Sequence, residues 1–134
     1  MVSRIVPLVR PCLWVLGAGL LLEGAALLIL GALPTDLLTM IPLVAELDPL
    51  HNVIHVVWGL IILGLLITGL TDSGAARLSL SFGVFYVAFG FLGILVHHPF
   101  GLILDIGQNA FHLIVGPAAL CLGILSLRTR RSTG

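Results

Sequence analysis

Apolar positions along this chain run in four long blocks, Pro11–Leu33, Leu50–Leu70, Leu78–Val96 and Ile106–Leu127, instead of alternating with polar ones. A helix needs about 20 mostly apolar residues to cross about 30 Å of hydrocarbon, and each block meets that length. The pattern predicts an all-α membrane protein, a four-transmembrane-helix antiparallel bundle, with residues 1–134 forming a single domain. Between the first two blocks, 34–48 reads as an interfacial loop. Its segment 37–45 is too short to span and too greasy for free solvent. The segments 1–10 and 128–134, which carry five of the six arginines, are read as cytoplasmic tails. Arg10-Pro11 suits the first turn of the first helix, where a missing N–H costs nothing. Arg4 and Arg10 before an apolar run resemble a signal peptide. The run is too long for one, however, and no small-x-small site precedes Pro34, so the first helix is expected to stay uncleaved.

Within these blocks one polar pattern occurs twice. The segment Asp48 to Gly59 aligns without gaps on Asp105 to Gly116, sharing the skeleton Asp-x3-Asn-x2-His-x3-Gly. At about 100° per residue these four positions fall on a helical stripe about 60° wide. Lipid penalises polar groups, so the stripe must face protein, cofactor or water. The likeness continues outside the motif. Gly17, Gly24 and Leu27 align with Gly83, Gly90 and Gly93, and Pro34 or Pro99 follows each odd-numbered helix. The chain thus reads as two similar helical hairpins in parallel orientation, related by a pseudo-two-fold along the membrane normal. That arrangement puts His55 and His112 at one depth, about 7–10 Å below their helix starts. Gly17, Gly24 and Gly31 form a stripe for close helix packing. Gly59 and Gly116 could serve the same end or leave room for a flat ligand. Pro117 should kink the fourth helix, whereas the first repeat has Leu60 there.

Composition removes whole classes of function. A chain that is 59% hydrophobic and 9% charged is not a soluble domain. Zero formal net charge argues against a nucleic-acid partner. Cys12 and Cys121 lack the spacing of a redox or metal motif. No phosphate loop, dinucleotide fingerprint or nucleophile–base pair is present, so no enzyme is expected. Arg4, Arg10, Arg77, Arg128, Arg130 and Arg131 sit at the termini and in the middle loop. The first and third loops carry Asp36, Glu46, Asp48 and Asp105. The positive-inside rule then predicts a multi-pass protein of the inner or plasma membrane with both termini cytoplasmic. The lipid bilayer is its surrounding partner, with a homo-oligomer or a larger membrane complex left open. All five histidines fall in the outer half.

Three readings of the polar outer half stay open. His55 and His112, on different helices at one depth, suit axial ligation of a b-type haem, with Asn52 and Asn109 orienting the second ring nitrogens and Gly59 and Gly116 making room. Alternatively, His51, His55, His97, His98 and His112, with Asp48 or Asp105, converge on a divalent transition metal. The third reading is structural: Asn and His bond across helices at roughly 0.6–2 kcal/mol each and fix register. Glu23 is the one acid inside an apolar block and must be paired, protonated or hydrogen-bonded. It lies about 15 Å from the outer end against about 8 Å for His55, within reach of an extended side chain. Tyr86, at nearly the depth of Glu23, is a candidate donor to it, and both are expected to be buried.

Asn52-x2-His55-x3-Gly59 and Asn109-x2-His112-x3-Gly116, each heading an even-numbered helix, make the chain resemble a bacterial family of small four-helix integral membrane proteins of unknown function. The resemblance covers nearly the whole chain and implies the four-helix topology but no activity. Glu23 and His51, whose counterpart is Gln108, are not part of that pattern. The functional expectation is a one-sided His/Asn pocket with a structural, scaffold or binding role, and haem or metal binding as the alternatives. Conduction is not expected, because the inner half offers few polar groups beyond Thr68, Ser79, Ser81 and Ser126.

Overall fold

The structure is a computed structural model that describes residues 8–33, 48–96, 99–104 and 106–131. Its elements are α1 (Val9–Gly31), α2 (Pro49–Ile67), α3 (Asp72–Val96), a 3-10 turn at Pro99–Gly101, and α4 (Ile106–Arg131). All four α-helices are long and apolar enough to cross a membrane, as the hydrophobic blocks predict. No strand occurs among the described residues. The segment 37–45, together with His97, His98 and Asp105, lies outside them.

Helix ends follow local chemistry more closely than hydropathy. α2 stops at Ile67, short of the apolar limit at Leu70, because Gly69 adopts a left-handed φ of 84°. The Leu70 amide then reaches back to the Leu65 carbonyl at 3.0 Å and closes the helix end. α3 starts at Asp72, six residues before the apolar block at Leu78. Thr71 is its cap: the side-chain oxygen accepts from the Gly74 amide at 3.1 Å, and its carbonyl accepts from the Ala75 amide at 2.8 Å. Arg77, expected in a loop, is therefore an exposed residue of the second turn of α3. Arg10 of α1 donates to the Leu70 carbonyl and pairs with Asp72 at 3.5 Å, tying α1 to the α2–α3 turn.

Two different surfaces hold the bundle together. Inside each hairpin, glycines let backbones meet. A Cβ added at Gly59 would lie 2.8 Å from the Gly17 carbonyl oxygen, and one at Gly116 would lie 2.8 Å from the Val87 amide. A Cβ at Gly83 would come to 2.7 Å from the Leu120 Cα. These are helix crossings with no space for a side chain, the close-approach use of small residues in membranes. Between the hairpins, large rings fill the gap. Trp58 of α2 meets Phe82 and Phe85 of α3 at centroid distances of 5.3 Å, and Phe82 stacks on Tyr86 at 4.0 Å. Phe82 and Tyr86 are among the most buried side chains, in a core with Leu13, Leu20 and Ile62. α4 runs unbroken through Pro117. Two residues after that proline, the Ala119 carbonyl accepts from the Ser79 hydroxyl of α3 at 2.7 Å.

Candidate metal centre

The N-terminal end of α2 is organised by Asp48. It is the N-cap: Oδ1 accepts from the Leu50 amide at 3.0 Å and the His51 amide at 3.2 Å. Pro49 occupies the first turn. The second carboxylate oxygen, Oδ2, accepts from the Ile103 amide at 2.9 Å, 55 residues further on. One buried carboxylate therefore starts α2 and clamps it to the segment that leads into α4. This cap fixes the register in which His51 and His55 lie on successive turns of one face.

His51, His55 and His112 meet where the two hairpins face each other. All three are buried, with 2%, 4% and 1% of their surface exposed. Ring centroids are 4.5 Å apart for His51–His55, 5.4 Å for His51–His112 and 6.3 Å for His55–His112. One nitrogen from each ring can be chosen so that all three lie within 4.8 Å of one another, close enough to hold a metal ion. His51 Nε2 and His55 Nε2 approach to 3.1 Å. The cluster is walled by Tyr86, whose ring stands edge-on to His112 at 5.0 Å, by Phe89 at 5.4 Å and by Phe111 at 6.0 Å.

Glu23 of α1 completes one side. Its Oε2 lies 2.9 Å from His55 Nδ1. An ionised carboxylate only accepts, so opposite Glu23 in that form the Nδ1 carries the proton and Nε2 keeps its lone pair toward His51. In the ion-free protein His51 Nε2 then donates to His55 Nε2. Buried polar atoms are left over in the cluster: His51 Nδ1, His112 Nδ1 and the Tyr86 hydroxyl have no hydrogen-bond partner among the described residues. Orphaned buried polar atoms are rare in folded proteins, and each one calls for a physical explanation.

The sequence-derived site residues fare unequally. The direct contact between Glu23 and His55 exists, but the Glu23 side chain is half exposed (50%) on the bundle surface, not buried. Tyr86 is buried, yet its hydroxyl donates to no group among the described residues, Glu23 included. Asn109 Nδ2 donates to the Leu104 carbonyl at 3.1 Å and not to an imidazole. Asn52 lines a hollow with Leu27, Leu28, Gly31, Ala32 and Pro49 on the α1 side. Gly59 and Gly116 sit at helix crossings one turn below the imidazoles. Gln108, which aligns with His51 in the repeat, lies close to His51 across the hairpin interface. Sequence reasoning passed over it, although the alignment carried the signal: position 55 faces 112, and position 51 faces 108. No protein-family model, curated protein or solved structure matches this chain.

Proposed function

We propose that this chain is a multi-pass membrane protein that binds one divalent transition-metal ion through His51, His55 and His112. On the positive-inside rule the site lies in the outer half of the membrane and both termini are cytoplasmic. The observation that carries the proposal is the convergence of three buried imidazoles from two hairpins on one point. Imidazole suits zinc, copper, iron and nickel, and three protein ligands leave a position for water or another small ligand. Glu23 supplies the carboxylate that typically orients a metal-bound histidine from its far nitrogen. Its negative charge also offsets part of the ion's charge in a medium where charge is costly.

A small ion fits this cluster better than a haem. His51 crowds the space beside His55 at a nitrogen separation of 3.1 Å. The two glycines that would have flanked a flat macrocycle are filled by neighbouring helix backbone. Purely structural hydrogen bonding would leave fewer orphans than His51 Nδ1, His112 Nδ1 and the Tyr86 hydroxyl.

The test is loading chelator-stripped, detergent-purified protein with Co²⁺. One ion per chain and visible ligand-field bands are expected, lost in each of His51→Ala, His55→Ala and His112→Ala. Protein that shows a Soret band and takes up no Co²⁺ would replace the ion by haem. Protein that takes up neither would leave the histidines as interhelical hydrogen-bonding groups.

A further inference from the structure

Glu23 poses a problem that His55 only half solves. Ionised, its carboxylate offers about four acceptor positions and His55 fills one. Half of the side chain faces outward from the bundle. Counting from the end of α1 at Gly31, this exposed polar group lies about 12 Å below the outer end of the helix. Polar groups at that depth are expensive unless something pairs with them.

Directly below Glu23 runs an apolar seam between α1 and α4. Its upper part is a hollow of about 210 Å³ lined by Val15, Leu16, Gly19, Leu20 and Phe111. Its lower part, sharing Val15 and Leu16, is a hollow of about 400 Å³ that extends past Ala118 and Ala119 to Pro11 and Leu122. Along α1 the stripe from Pro11 to Glu23 is about 18 Å long. At the top of the seam Phe111 is 36% exposed, and its ring centroid lies 6.2 Å from that of His55. The seam thus brings an aromatic face and a carboxylate with open acceptor positions to one end of a long apolar channel.

We propose that the α1–α4 seam binds a hydroquinone-type amphiphile, its ring on Phe111, a hydroxyl donating to Glu23 and its apolar tail running down the seam toward Pro11. Three properties of the seam select this class. A phospholipid head is charged and stays at the membrane surface, far above Glu23. The head must therefore be neutral and carry a donor, because Glu23 accepts. An exposed Phe ring favours an aromatic head in offset or edge contact. The site does not depend on a bound metal, so the metal-free protein serves for the test and the outcome is separate from that of Co²⁺ loading.

The experiment uses metal-free protein in phosphatidylcholine nanodiscs and radiolabelled decyl-hydroquinone under reducing conditions, with protein-free nanodiscs as the partition blank. Saturable binding of one molecule per chain above the blank is expected. The dimethyl ether of the same compound keeps ring and tail but loses both donors. It should bind about tenfold more weakly, the loss expected for a hydrogen bond to a charged group. Gly19→Leu should abolish binding by filling the seam. A Cβ at Gly19 meets nothing within 4 Å, so that variant keeps the helix packing. A monodisperse size-exclusion profile and a helical circular-dichroism spectrum like that of the wild type check that it has folded. Binding no greater than the blank, equal binding of the ether, or binding retained in Gly19→Leu would overturn the proposal. So would native mass spectrometry showing a tightly held phospholipid or a second copy of the chain over the seam in place of the hydroquinone.

Discussion

Asp48 makes two kinds of contact that two substitutions can separate. Asp48→Ala removes both the helix cap and the clamp on Ile103. Asp48→Asn keeps a carbonyl oxygen for the Leu50 and His51 amides but sets an NH₂ group against the Ile103 N–H, donor against donor. Losing an N-cap to Ala costs about 1 kcal/mol, and Asn caps as well as Asp. Leaving the part-buried Ile103 amide without its acceptor costs about 1–3 kcal/mol. Asp48→Asn should therefore destabilise the bundle by about 1–3 kcal/mol, and Asp48→Ala by about 2–4 kcal/mol. If the Asn side chain flips to serve Ile103, the cap is lost instead, so one of the two contacts is forfeited in either orientation. Equilibrium unfolding of the purified protein in mixed micelles, titrated with an anionic detergent, measures both values. The cap also sets the register of His51, so both variants should bind Co²⁺ less tightly than the wild type. Asp48→Asn within about 0.5 kcal/mol of wild type, the size expected of an inert surface change, would show that the Ile103 contact holds nothing together.

The glycines divide by what surrounds them. Gly59→Val should open the α1–α2 crossing and destabilise the protein severely, because its Cβ would meet the backbone of Gly17 and Leu21; Gly64→Ala, with nothing within 4 Å, should be neutral or stabilising in the same unfolding assay. Orientation is tested at Arg77, exposed in the second turn of α3: in a chain whose two native cysteines are replaced by serine, Arg77→Cys should react with a membrane-impermeant maleimide from the cytoplasmic side. Labelling from the outer side would invert the proposed topology.

How much of this could be read from the chain depended on the range of the interaction. The four spans followed from apolar block length, since a continuous apolar segment of that length satisfies its own backbone across a bilayer only as a helix. Helix limits followed less well: apolarity marks where hydrocarbon begins, whereas Thr71 and Gly69 decide where hydrogen bonding starts and stops. The polar face of α2 was legible from spacing alone, and so was the reach from Glu23 to His55. Whether His55 pairs with His112 alone or His51 joins them depends on how one hairpin is rotated against the other. That rotation is set by rings such as Trp58, Phe82 and Tyr86, which no helical period encodes. The exposure of Glu23 depends on which side of α1 its neighbours leave open. The second bond of Asp48 depends on a backbone amide 55 residues away.

The most direct measurement of the three-histidine centre is X-ray absorption at the zinc edge on protein carrying one Zn²⁺ per chain. Three imidazoles should appear in the inner shell at about 2.0–2.1 Å, with the multiple-scattering pattern that imidazole rings produce. His112→Ala should lose the ion or leave two rings, with oxygen taking the vacant place. An inner shell of oxygen alone, or a three-imidazole shell unchanged by His112→Ala, would contradict a metal centre that joins the two hairpins.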